Sequence, residues 1–470
     1  MPILFPTGTA TEALVREAVA GLDAEVAVTG EIASFLTPQR LLDLVRADRY
    51  DYVVVPGMCT ASFAAVEEAT GVPILRGPRH AADLPLMVEL LGKVEFSRDV
   101  PADDLLRDLR RDDAYRKVRS IEKNAEWDLL LRGVKVGGTS RCKVLAELMD
   151  AHRRPDLRSD VERAFCSGAD IVDLGFGFDA TPADVARCFG ALDGIDGPLA
   201  VDSQDPALIA ASLFRADLVL SLQEENIPMI GRAVADAGAA AVVVPRYSSL
   251  TENLEAARAA GCQALVADPL LQPVGSGLVR SLCEFRDYDV PLFFGAGNVV
   301  ELLDADSIGA QALLAGMAQE VGAAIVFTAE HSDKTRGAIA EMRRATEMMV
   351  LTRCRPYPKD LGIDLFVVKE KRRRREPPLA YDRVIEVPPA PDEVEYDPRG
   401  NIRIGLEDGR IVAVHGGVAF QGCRWQDVLA ALLADDRVSR LDHAAYLGAE
   451  LQKAELALRL GRSFEQDGPF

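Results

Sequence analysis

The sequence predicts an α/β protein built around a central (β/α)8 TIM barrel, preceded by an open parallel α/β domain and followed by a small α+β domain. Three observations predict it. Eight short apolar runs, each followed by a helical pattern, recur at near-even spacing between residues 131 and 355. A shorter stretch of the same alternation fills residues 1–95. Beyond residue 401, an Asp408-Gly409 turn between two alternating segments precedes two amphipathic helical patterns.

In the first domain the strands are Ile3 to Phe5, Glu25 to Val28, Tyr52 to Val55 and Val72 to Leu75. The polar segment Gly77 to Asp83 is turn-like and positioned to pack on the next domain. Residues 96–130 carry Asp103, Asp104, Arg107, Asp108, Arg110, Arg111, Asp112 and Asp113, a mixed charge run that reads as a solvated helical connector. The barrel strands are expected at Gly133 to Val136, Ile171 to Leu174, Leu199 to Val201, Leu218 to Leu220, Ala241 to Val244, Ala264 to Val266, Leu292 to Phe294 and Ile325 to Phe327. Eight even units favour a closed barrel over an open doubly wound sheet, and a barrel places its chemistry on loops leaving the C-terminal strand ends. Residues 356–400, with the basic run Lys369 to Arg375 and several prolines, read as a tether. Residues 401–470 form the α+β tail.

Composition narrows the function classes. The 470 residues are 49% hydrophobic and 27% charged, enough to bury a large core across several domains. A net charge of -20 argues against nucleic-acid or anionic-membrane partners, since both would meet like charge. The chain lacks a basic, apolar leader and any apolar run of about eighteen residues, so a cytoplasmic protein is expected. The eight cysteines form no CxxC pair and read as reduced thiols; five histidines without HxH or HExxH argue against a dedicated zinc or iron site.

The expected mouth is polar and carboxylate-lined. Asp202 and Asp268 follow apolar strands, where a buried carboxylate can accept two hydrogen bonds from a ring such as a 2-amino-4-oxo pterin. Each also has a structural alternative: Asp202 or Asp205 could cap the helix starting near Pro206, and Asp268 before Pro269 could start a turn. Asn298 follows Gly295-Ala296-Gly297, whose glycines would let backbone approach a flat ligand closely.

Gly168 to Gly175 with Asp173, Ala200-Val201-Asp202-Ser203, Ala267-Asp268-Pro269-Leu270 and Phe294 to Asn298 resemble the successive strand-end motifs of pterin-binding (β/α)8 enzymes. That superfamily holds dihydropteroate synthase and the methyltetrahydrofolate:corrinoid methyltransferases. The resemblance implies that Asp202, Asp268 and Asn298 hold the pterin, with Asp173, Ser221 and Gln223 beside them. Ile32 to Pro38, Gly77 to Asp83 and His443 to Leu451 extend it over nearly the whole chain, toward the dihydropteroate synthase-related proteins of organisms that use tetrahydromethanopterin.

There are departures from the synthase pattern. Gly137 to Arg141 stands where an Asn-Val-Thr-Pro-Asp-Ser-Phe loop is expected, Asn298 where a lysine is expected, and Phe327-Thr328-Ala329 where Arg-x-His is expected. Those groups handle diphosphate and its magnesium ion. The asparagine expected after the fourth strand is also missing. Arg141, Arg246, Lys334 and Arg336 are the candidate replacements for phosphate, each with surface charge as its plain alternative.

The resemblance thus implies a transferase joining a pterin-6-methyl diphosphate to an arylamine such as ribofuranosylaminobenzene phosphate, a homodimer, and a Mg2+ ion as an admissible cofactor. A pterin-dependent methyltransferase and a non-catalytic pterin-binding subunit are the alternatives, although no Asp-x-His-x-x-Gly cobalamin motif is present.

Overall fold

The computed structural model describes residues 2–46, 49–285, 288–354, 357–369, 379–389 and 395–468. It forms two compact units, Met1–Leu365 and Phe366–Phe470. The basic run Lys369 to Arg375 lies outside the described residues after its first member.

The first unit begins with four parallel strands, β1 (Ile3–Gly8), β2 (Ala24–Gly30), β3 (Tyr52–Val55) and β4 (Ile74–Arg76), in the order β2-β1-β3-β4. Their valines and leucines supply two apolar clusters, one on each face, as a sheet covered on both sides requires. The segment after β4 packs against the charged connector rather than the barrel: Arg79 grips the buried Asp103 at 2.6 Å, and Arg110 meets Asp83 at 2.9 Å. The charged connector is a helix, Arg107–Asn124, but it is not wholly solvated, because Ala114 and Val118 enter the barrel's main core.

A two-stranded antiparallel hairpin comes next, β5 (Leu129–Leu131) and β6 (Val134–Val136). Beyond it lies a closed, all-parallel barrel: β7 (Lys143–Leu148), β8 (Ile171–Gly175), β9 (Leu199–Asp202), β10 (Leu218–Leu222), β11 (Ala240–Val243), β12 (Leu265–Ala267), β13 (Leu292–Phe294) and β14 (Ala323–Ala329). The chain is therefore a (β/α)8 barrel with additional N- and C-terminal elements.

The expected first barrel strand is corrected. Gly133 to Val136 belongs to the hairpin, whose Leu131 and Val136 pack into the barrel's interior cluster beside Leu145 and Ile171. Val-Lys-Val has the signature of a strand because it is one, buried on one side only. The true first strand, Lys143–Leu148, was obscured by two charged residues in its inward phase. Lys143 is 1% exposed, and its ammonium reaches the Arg141 carbonyl at 2.5 Å and Glu122 at 2.9 Å. Burial pushes its pKa down, and the charge remains tolerable because these partners compensate the lost water.

Arg141 is accordingly corrected as well. It precedes β7 at the N-terminal end of the barrel, opposite the mouth, and is 3% exposed. Its guanidinium takes both oxygens of Asp170 at 2.6 and 2.7 Å and also donates to Thr346 and the Cys142 carbonyl. Asp170 in turn accepts the Val144 N–H and a bond from Arg343, so burial, which would raise its pKa, is outweighed by the adjacent cations and the pKa falls. This network fastens β7 to β8 from below. It binds no phosphate at the mouth.

Alternation along the strands sets the interior. Leu145, Ile171, Ala200, Leu218, Leu220, Val242, Val266, Phe293, Ile325 and Phe327 fill it in apolar layers. One inward step further toward the mouth, the same phase delivers Glu147 on β7, Asp173 on β8 and Asp202 on β9.

In the second unit, β15 (Arg403–Glu407) and β16 (Arg410–His415) form the expected hairpin, with Asp408 and Gly409 at positive φ of 47° and 71° as a two-residue turn needs. A third strand, β17 (Val418–Gly422), was not anticipated; Gly416 and Gly417 turn the chain into it. Helices Trp425–Ala434 and Leu441–Leu460 cover one face through Val428, Leu432, Leu447 and Leu451. Among the described residues, no helix is long and apolar enough to cross a membrane.

Replacing Arg141 by Ala leaves Asp170 buried beside a single remaining arginine. Urea denaturation is expected to show a loss of about 3–5 kcal/mol, with small-molecule binding at the mouth unchanged in the folded fraction. Intact stability with impaired anion binding would return Arg141 to a ligand role.

Candidate functional site

The mouth is built where the barrel's apolar filling ends. Asp173 sits in the middle of the β8 inward row, fully buried, and among the described residues neither carboxylate oxygen has a hydrogen-bond partner. Glu147 lies directly across on the neighbouring strand, and Asp202 closes the group at the end of β9. One oxygen from each lies within 4.8 Å of the others. Burial pushes the Glu147 carboxyl up to about 7, helped by Asp202 and Glu301 and opposed by Arg154. Burial likewise raises Asp202 to about 6 and holds Asp173 well above the usual carboxylate range, with Asp202 and Glu147 adding to the effect on Asp173. Desolvation outweighs charge repulsion here because the layer beneath is hydrocarbon.

Asp268 follows β12 and is 8% exposed. Its Oδ1 accepts the Leu270 N–H at 2.8 Å, closing a turn in which Leu270 adopts φ +65°; burial nonetheless lifts the carboxyl to about 7. The turn alternative is thus half right: one oxygen is spent on backbone. The capping alternative is resolved differently, because Asp205 caps the helix Pro206–Ser212 through the Ala207 N–H at 2.8 Å. Asp202 is left to the mouth.

Asn298 is exposed on the short helix Ala296–Glu301 after β13. The glycine directly before it serves packing. A Cβ on Gly297 would stand 2.6 Å from the Phe327 ring, so glycine is what lets this helix rest on β14. Ser221 and Gln223 are buried at the end of β10, where Gln223 donates to the Gln204 side chain at 3.4 Å. Asn226 ties this loop together, donating to the Ser221 carbonyl at 2.9 Å and accepting the Gln223 N–H at 2.9 Å. An asparagine therefore does follow the fourth strand, with its amide engaged by backbone.

Of the four cations anticipated for phosphate, two are not available. Arg141 is at the other end of the barrel, and Lys334 donates to the carbonyls of Glu301 at 2.8 Å and Leu303 at 2.6 Å, closing the C-terminus of the helix after β13. Ser332 and Thr335 fix the same loop by donating to Glu301 at 2.6 and 2.7 Å. Arg336 is exposed beside Asp333 at 3.2 Å. Arg246 remains on the mouth, 3.4 Å from Glu225, and lines a depression with Pro269, Leu270, Gln272 and Arg280.

Sequence reasoning missed Glu147 and Arg280. Glu147 was hidden by the misplaced first strand; the signal was a carboxylate two residues after Leu145 in a largely apolar strand, in the inward phase. The loop after β7 reads Met149-Asp150-Ala151-His152, so the synthase-type loop is absent after the true first strand too.

Fold and site together define a (β/α)8-barrel protein whose mouth is lined by buried carboxylates. The chain is 32% identical to the uncharacterized protein MJ0107 of Methanocaldococcus jannaschii over an alignment of 516 positions, covering 99% of this chain and 98% of that protein. It belongs to that protein's family. Residues 396–467 match the family model PterinBD-DUF4346. Among solved structures, it is similar to the dihydropteroate synthases of Yersinia pestis (22% identity, 48% of this chain and 98% of that chain, TM-score 0.38) and Burkholderia cenocepacia complexed with 7,8-dihydropteroate (22%, 46% and 93%, TM-score 0.38). The barrel assignment rests on the strand pairing above rather than on these likenesses.

Asp268 gives the site a pH signature. In the folded chain it keeps its proton up to about pH 7, whereas unfolded it ionises near pH ~4. The folded state binds the extra proton between these values, so stability falls as pH rises through that window. Asp268→Asn removes the cost, and calorimetry without ligand is expected to show a higher Tm than wild type at pH 8 and a near-equal Tm at pH 4. A Tm difference independent of pH would contradict this.

Proposed function

We propose that the barrel binds a pterin and that the protein is a dihydropteroate synthase-like transferase acting in the biosynthesis of tetrahydromethanopterin. The observation that carries the reading is Asp268, a buried carboxylate at the end of the sixth strand with one oxygen held by backbone and the other left to the mouth. A 2-amino-4-oxo pterin presents adjacent N–H groups at its 2-amino and N3 positions, and the oxygen left to the mouth has two lone pairs with which to accept from that edge. Asp202 meets a further ring N–H, and Asn298 supplies an amide from the helix after β13. The match of the tail, residues 396–467, to a family model whose name pairs that segment with a pterin-binding domain supports the same ligand class.

In the reaction proposed, the C–O bond of a pterin-6-methyl diphosphate breaks and its electron pair leaves with diphosphate. The arylamine nitrogen attacks the methylene carbon, and the resulting arylammonium is acidic enough to release its proton to water. The protein's work is orientation, with Asp202 and Asp268 fixing the ring, and stabilisation of the departing anion. Arg246 and Arg280, which line one depression beside Asp268's loop, are positioned to receive a phosphate group of either partner.

One observation favours a second reading. Arg141 and Lys334 are both committed to protein partners, which leaves few cations for diphosphate and suits methyl transfer from a reduced methyl-pterin. Two assays on the purified chain separate the readings. Coupling of pterin-6-methyl diphosphate with ribofuranosylaminobenzene phosphate is expected to release diphosphate, and the Arg246→Ala/Arg280→Ala double variant to lower kcat/KM about tenfold or more. Methylation of cob(I)alamin without coupling would establish the methyltransferase; pterin binding with neither activity would leave a binding subunit. In calorimetry, Asp268→Asn is expected to lose pterin binding by about 2 kcal/mol or more, and unchanged affinity would remove the proposal.

A further inference from the structure

Three acceptor-only groups converge at Glu147, Asp173 and Asp202, each contributing an oxygen within 4.8 Å of the other two. Two oxygens on one cation stand no more than about 4.2 Å apart at Mg2+ bond lengths and about 5 Å apart at Ca2+ bond lengths, so this spacing admits a shared hard cation. The second observation is Asp173 itself. It is 0% exposed, it faces into the group, and among the described residues neither of its oxygens has a partner at hydrogen-bond geometry. Buried carboxylates in folded proteins are paired or coordinate metals, because an unpaired one forfeits hydration with nothing in return.

The nearby arginine spends its hydrogen bonds elsewhere. Arg154 is engaged by the Met149 carbonyl at 3.0 Å and by Asp160 at 2.9 Å. Asp202 is also released from the helix cap that would otherwise use it, since Asp205 performs that task.

We propose that Glu147, Asp173 and Asp202 bind a hard divalent cation of the Mg2+/Mn2+ class at the base of the barrel mouth. An all-oxygen, all-carboxylate set selects hard ions over zinc or copper. Three ligands from three adjacent strands occupy one side of the ion and leave the mouth side for water or a substrate oxygen, the usual arrangement for an ion that meets phosphates. The cation site does not require the pterin reading. Its role in that reaction, as the positive charge the mouth lacks when an anion departs, does rest on it.

The test uses the full-length chain, stripped with chelator, desalted and titrated with Mn2+ alone, free Mn2+ being followed by electron paramagnetic resonance. One Mn2+ per chain is expected, competed by Mg2+, with a rise in Tm on binding. Asp173→Asn and Glu147→Gln are each expected to weaken it about tenfold or more. Glu147 is the more exposed of the two, so its variant reads the site if Asp173→Asn does not fold. Asp268→Asn, which removes pterin binding, is expected to leave Mn2+ binding intact. Absence of saturable binding up to about 1 mM, or affinity unchanged in Glu147→Gln, would overturn the proposal and identify the group as carboxyls sharing protons. Mn2+ binding by a chain that binds no pterin would sink the function proposed above while leaving the cation site standing.

Discussion

The constraint on which this molecule turns is the burial of carboxylates at the top of an apolar barrel. The two-residue period of the strands commits alternate positions to the interior, and through the lower layers those positions are hydrocarbon. In the next layer they are Glu147, Asp173 and Asp202, joined by Asp268 after β12. Ionising such groups in a desolvated pocket is costly, which is why burial leads every upward pKa shift among them. Such a cost is characteristic of sites where a ligand relieves it, by donating N–H groups or positive charge.

The rest of the barrel is arranged to make that layer tolerable. Its lower end is sealed by the β5–β6 hairpin and cross-braced by Arg141, Lys143 and Arg343 against Asp170 and Glu122. Buried cations are thus concentrated at the end where no chemistry is expected. At the upper end, Lys334, Ser332 and Thr335 are used to hold the loop after β14 to the helix after β13. Loops tied down around an acidic, largely uncompensated centre are suited to a ligand that brings donors, and less suited to an anion arriving by itself. The net charge of -20 carries the same bias for the chain as a whole.

Much of the fold was legible because its elements obey local rules. Strands such as Ala240–Val243 and Leu292–Phe294 are apolar on both sides, as parallel strands between helices and a filled interior must be. Asp408-Gly409 could only be a tight turn. The first barrel strand failed because Lys143 and Glu147 interrupt that signature, and the reason for each lies in partners remote in the chain or in a ligand. Asp202 and Asp268 were legible as aspartates ending apolar runs. The fates of Arg141 and Lys334 were not, since whether a cation faces solvent, a carboxylate or a row of carbonyls is decided by tertiary contacts. Gly297 shows the same limit: its missing side chain makes room for a ring on the neighbouring strand.

If the buried carboxylates exist for a pterin ring, a crystal of the chain soaked with 7,8-dihydropterin will hold that ring over the interior layer. Its 2-amino and N3 edge is expected on the free oxygen of Asp268, with a second ring N–H on Asp202. A ring bound at the Arg246–Arg280 depression instead, or a mouth holding no pterin at millimolar concentration, would contradict it.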